Sequence, residues 1–192
     1  MATMTRTGIS FLKDNKEIAS TDLVYEEEAG VSFQYMYGTK IQPIAMSDDG
    51  TRAFIATKAN TIYVIDLIRF KICQTIQLPL GQNITSLTTS GQLLMIAEGT
   101  SFATGSYRLL ALNINPSLKS YLKQPVVLTA DNFTPPSHGF AGMAIGPDGS
   151  TLIVAAPEKP TTFLKLGIDA PKGDILVFDL HSLNLSTGKI DS

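Results

Sequence analysis

At 192 residues, with 44% hydrophobic and 17% charged side chains, the chain has the composition of a soluble folded protein able to bury its own core, and neither disordered nor membrane-spanning classes fit it. Fifteen Lys and Arg against 17 Asp and Glu leave a formal net charge of -2, so no overall field draws it to nucleic acid or to an anionic membrane. A single cysteine, Cys73, excludes an intramolecular disulfide and a thiolate cluster, and two distant histidines, His138 and His181, offer little material for a His-rich metal site.

The first residues carry no apolar signal region, and nowhere does an apolar run reach the roughly 18 residues that a spanning helix needs. No signal peptide and no direct membrane insertion are therefore expected; as an internal piece of an exported protein the chain would be periplasmic or extracellular. Residues 1–40 form an N-terminal β segment, with strand candidates at 9–12, 22–25 and 31–37. The triplet Glu26-Glu27-Glu28 within it fits a solvated edge and does not have EF-hand spacing.

From residue 41 a unit repeats. Residues 44–46 and 52–56 are short apolar strands around the turn Ser47-Asp48-Asp49-Gly50; strands at 62–67 and 71–78 follow. The second unit has residues 85–90 and 93–97 around Gly91, then 109–114 and 125–129. The third has 143–145 and 151–155 around Gly146-Pro147-Asp148-Gly149, then 175–180. Asp66, Asn113 and Asp179 recur at the end of the third strand, where a short polar side chain caps the following turn. Cys73, in a fourth strand, is expected to be a small buried apolar residue. No segment carries a capped stripe of helical period, so the only helical expectation is a turn near residues 116–122.

Four antiparallel strands per unit is the plan of a propeller blade, which makes the fold class all-β. The pattern from Ile44 to Ala56, followed by Thr61-Ile62-Tyr63-Val64-Ile65-Asp66-Leu67, resembles the YVTN-type repeat of bacterial β-propellers, within the broader lactonase-like and WD40-like group. The Gly-His and Trp-Asp dipeptides of WD40 repeats are absent, and the chain has no Trp. The resemblance covers roughly residues 41–190 and implies blades at about 41–80, 81–132 and 133–192, with 1–40 an eroded blade or ring-closing strands. The turn glycines lie 41 and 58 residues apart, so about three recognisable blades make only a partial ring. A fragment of a longer propeller is favoured over a four-bladed ring or closure by a second copy.

In an up-and-down blade with strands a to d, the b–c and d–a connections emerge on one face. The long connections, residues 98–106, 157–173 and 130–141, all belong to it, and the terse Asp-Gly turns belong to the other. Long loops on a rigid scaffold are where binding usually resides. The candidate binding residues are Phe102, Tyr107, Phe133, His138, Phe140, Glu158, Lys159, Phe163 and Lys165. Rings flanked by Ser, Thr and Gly suit a protein or glycan contact; the competing reading has Phe133, Phe140 and Phe163 fold back to pin their own loops. His138 has no neighbour at ligand spacing, and His181 belongs to a turn on the other face.

No nucleophile elbow, Walker A sequence, dinucleotide fingerprint or Cys-x-x-Cys pair is present, and no cofactor, metal or catalytic residue is assigned. The expected function is a noncatalytic β-propeller module that binds a protein or glycan through its long-loop face, with no nucleic-acid partner. The other blades of a longer chain or a second copy would be its structural partners. The alternative, implied by the lactonase-like resemblance, is a hydrolase acting on a small ester or lactone.

Overall fold

In the computed structural model, which describes residues 2–4, 8–14, 16–22, 43–56, 61–78, 83–99, 108–119, 121–130, 140, 142–157 and 173–190, the strands pair in chain order. β1 (Ala2–Met4), β2 (Gly8–Lys13) and β3 (Lys16–Asp22) form an antiparallel meander. β4 (Ile44–Met46), β5 (Arg52–Ala56), β6 (Thr61–Asp66) and β7 (Lys71–Gln77) make the first four-stranded blade. β8 (Asn83–Ser90), β9 (Leu93–Gly99), β10 (Leu109–Asn113) and β11 (Val126–Val127) make the second. After β12 (Thr129–Ala130), the third blade consists of β13 (Gly142–Ile145), β14 (Thr151–Pro157) and β15 (Gly173–Asp179). A 3-10 turn at Leu180–Ser182 follows, and β16 (Lys189–Ile190) then returns to pair in parallel with β12. The fold is an all-β propeller comprising part of a ring.

Local chemistry explains the hairpins. Gly50, Gly91 and Gly149 have φ of 68°, 55° and 74°, the left-handed region that glycine enters without a Cβ penalty. In the first turn the Gly50 amide donates to Ser47 O at 2.8 Å and the Ser47 amide to Arg52 O at 3.0 Å. The third repeats both bonds, Gly149 to Gly146 and Gly146 to Thr151, at 3.0 and 2.7 Å. At the far end of each third strand the recurring polar residue caps the next turn. Asp66 accepts from the amides of Ile68 and Arg69, Asn113 from Asn115, and Asp179 from His181.

Strand alternation then assigns each side chain to a neighbour. Residues four and six after the turn glycine point toward the next blade: Phe54 and Ala56 pack on the second blade, Met95 and Ala97 on the third. Residues three and five after it point back, so Leu94 and Ile96 meet the first blade and Leu152 and Val154 the second. The third strands obey the same rule, with Ile62 and Val64 facing forward against Leu110 and Leu112 facing back. The core among the described residues is thus two slabs between blades and a smaller cluster of Ala53, Ile55 and Ile65 on the backward face of the first, and the innermost strands β4 and β13 each pack beside β8.

Two expectations change. Cys73 is exposed, its thiol reaching Val64 O at 3.4 Å, because β7 is the outermost strand of its blade and only one of its residues is fully buried. The terse side is also not uniformly terse. Between β10 and β11, residues 114–119 and 121–125 lie there as successive turns and coil, pinned by the buried side chain of Leu122 and by the Arg52 guanidinium, 5.3 Å above the Tyr121 ring. Strand candidates at residues 23–25 and 31–37 lie outside the described residues.

Candidate interaction face

The ends of β9 and β10 carry the connection of residues 100–108 on the long-loop side. Ala97 pairs with Leu109, and the same register sets Glu98 opposite Arg108, where the Glu98 amide donates to Arg108 O at 3.0 Å. Their side chains close the loop base bidentately: Arg108 Nε donates to Glu98 Oε2 at 2.7 Å and Nη2 to Oε1 at 2.8 Å. Glu98 is wholly buried, whereas the Arg108 side chain keeps 28% of its surface in solvent. The hydrogen bonds to Glu98 hold the guanidinium above its ordinary range, outweighing its partial burial. A buried carboxylate is tolerated only with such a complement of donors.

Phe140 completes the base. Its ring is 1% exposed, within the core that the second and third blades share with Met95, Leu109, Leu152 and Phe178. Its amide donates to Glu98 O at 3.2 Å, and its carbonyl accepts from Thr85 Oγ1 at 2.6 Å. Of the nine candidate binding residues, Phe140 is therefore a loop anchor whose ring does not face solvent, because burying an aromatic ring between two sheets outweighs presenting it. Phe102, Tyr107, Phe133, His138, Glu158, Lys159, Phe163 and Lys165 lie outside the described residues. Sequence reasoning missed Glu98 and Arg108. The available signal was an acid closing an apolar strand and an arginine opening the next, which a hairpin register brings face to face.

The opposite face uses its carboxylates differently. Asp49 accepts from the Ser47 hydroxyl at 2.6 Å and from the Thr51 amide and hydroxyl, which lowers its pKa to about 2. Asp148 is lowered to about 2 by the Thr151 hydroxyl and by the amides of Ser150 and Thr151. Asp48 reaches across to the second blade, accepting from the Gly91 amide at 2.8 Å and from Thr89 Oγ1 at 3.3 Å. Ser90 Oγ in turn donates to Gly149 O of the third. These groups link the hairpin tips and leave this side with built turns. His181, also there, is exposed, its Nδ1 3.1 Å from Asp179 Oδ1. Among the described residues no three His, Cys, Asp or Glu side chains form a group that could hold a metal ion.

No protein-family model and no curated protein matches the chain. Solved structures do. A Kuenenia stuttgartiensis hydrazine synthase chain superposes with a TM-score of 0.59 at 13% identity, over 96% of this chain and 42% of that one. The Neurospora crassa Pan2 WD40 domain superposes with a TM-score of 0.57 at 12% identity, over 94% of this chain and 45% of that one. At such identity the likeness concerns the fold alone, a WD40-like β-propeller, and the chain spans less than half the length of either structure.

Proposed function

We propose that this protein is a noncatalytic β-propeller interaction module that binds a protein or glycan partner through the face bearing the long b–c and d–a connections. The observation that carries this reading is the fixed base beneath those connections, where the Glu98–Arg108 pair and the buried Phe140 tie two loop origins to the shared core. A rigid base lets long loops present contact residues at low ordering cost. The repeats are of the YVTN type on this reading, supported by the Asp-Gly hairpins and the recurring cap at Asp66, Asn113 and Asp179. The eight loop residues from Phe102 to Lys165 supply the contacts, the rings giving area and Glu158, Lys159 and Lys165 giving charge.

A glycan array and a random peptide phage library, both probed with the 192-residue chain, test it. Binding is expected in one of them, to fall about tenfold or more in Phe102→Ala/Phe133→Ala/Phe163→Ala, and to persist in Asp49→Asn/Asp148→Asn. Binding indifferent to the three rings, or no binding in either library, would refute the proposal.

A further inference from the structure

The register of the blades gives each a forward face, and two of the three forward faces are covered. In the first blade Phe54, Ala56, Ile62 and Val64 are fully buried under the second blade; in the second, Met95, Ala97, Leu109 and Ala111 are fully buried under the third. The equivalent residues of the third blade are Ile153, Ala155, Ile175 and Val177. There Ile153 is 38% exposed, Val177 63% and Ile175 74%, and Ala155 is exposed as well. On the backward side of the same strands Leu152 and Val154 are fully buried. Aliphatic residues thus occupy forward positions that stay partly or largely exposed, with no blade among the described residues packed over them. The outer edge is open too: among the described residues β15 pairs only with β14, whereas β6 and β10 each carry an outer strand.

We propose that the forward face of the third blade, centred on Ile153, Ile175 and Val177, docks a further four-stranded antiparallel blade contributed by polypeptide outside residues 1–192. The proposal is independent of the loop-face reading. It rests on continuity with an interface already built twice in this chain, since a repeat unit cannot bury its own faces and relies on stacked neighbours to do so. The docked blade presents aliphatic side chains three and five residues after its own turn glycine, as Leu94, Ile96, Leu152 and Val154 do. A head-to-tail second copy does not fit, because the backward face of the first blade is already in use: Ala53, Ile55 and Ile65 are buried. The second and third blades have theirs against their neighbours.

The test places a thiol on the face, Val177→Cys in a Cys73→Ser background, and measures its labelling by a maleimide. One sample is the 192-residue chain; the other is the same chain extended by a copy of residues 81–132 through a Gly/Ser linker of about 12 residues, long enough to span roughly 20 Å. Expected are a monomer by sedimentation velocity with rapid labelling, and labelling slowed about tenfold or more in the extended chain. Leu94→Asp/Ile96→Asp in the appended copy alone restores the rapid rate, and Ile175→Asn/Val177→Asn leaves the thermal midpoint of the original chain unchanged. Three outcomes overturn the proposal: a dimer that Ile175→Asn/Val177→Asn dissociates, which makes a second copy the occupant; slow labelling without the appended blade; or an unprotected thiol with it, whether or not the copy has folded.

Discussion

Arg108→Ala tests the loop base most sharply. The substitution removes both donors, at 2.7 and 2.8 Å, from a carboxylate that has no access to water. Breaking a buried pair from this side costs about 3–5 kcal/mol, because the stranded charge loses its compensation. The reverse change is cheaper. Glu98→Gln keeps the shape and one acceptor oxygen, and the partly exposed guanidinium turns to solvent, so about 1–2 kcal/mol is expected. Replacing both, Glu98→Met/Arg108→Leu, removes the desolvation penalty with the attraction and is expected to lie within about 1 kcal/mol of wild type. Urea denaturation followed by circular dichroism reads the series. With a slope near 2 kcal/mol per M, Arg108→Ala lowers the midpoint by about 2 M and Glu98→Gln by less than about 1 M. The asymmetry is diagnostic, and it persists when salt is raised to about 0.5 M, since the pair is shielded from counterions. Equal, small and salt-sensitive losses in the two single variants would mean that the pair behaves as a surface ion pair and that the loop base is not fixed by it.

Three other outcomes follow from the same geometry. Gly188→Ala places a methyl carbon 1.9 Å from Val127 O at a φ of 75°, so β16 must leave β12; about 1–3 kcal/mol is lost, and hydrogen exchange of the Thr129 amide, which donates to Gly188 O, accelerates. Because Asp49 and Asp148 have folded pKa values of about 2, below the ordinary 3.8, their contribution is fully present above about pH 4 and is lost as pH falls through about 2. An acid titration of the thermal midpoint shows this dependence, and Asp49→Asn/Asp148→Asn flattens it. Leu94→Ala, at the centre of the slab between the first and second blades, costs about 2–5 kcal/mol by denaturation, whereas Ile68→Ala at an exposed turn costs less than about 0.5 kcal/mol.

What the sequence discloses here is what is encoded locally. Glycine at Gly50 and Gly149 with an aspartate beside it specifies a hairpin through bonds spanning a few residues, and Asp66, Asn113 and Asp179 cap turns two or three residues away. Three copies of such local logic suffice to read blades. The features it concealed depend on partners distant in the chain or on position within a blade. Asp48 bonds a glycine 43 residues later, and Thr85 bonds a carbonyl 55 residues later. β16 finds β12 in parallel across the third blade. Cys73 has the composition of its strand but not its expected burial, because an outermost strand has one neighbour within its sheet. Phe140 stands in a polar connection yet belongs to the core, a choice made by the gap between two sheets rather than by adjacent residues.

The bonds from Asp48 to Gly91 and from Ser90 to Gly149 run in series along the short-turn side, tying three successive hairpin tips together. These ties set the angle between neighbouring blades at that end, and on the loop side Phe140, bonded to Glu98 and Thr85, holds the second blade to the third as well. Connections that leave from above these ties can lengthen, shorten or change composition over evolutionary time without altering how the blades splay. Variation in what the face displays is thereby uncoupled from the geometry of the support beneath it.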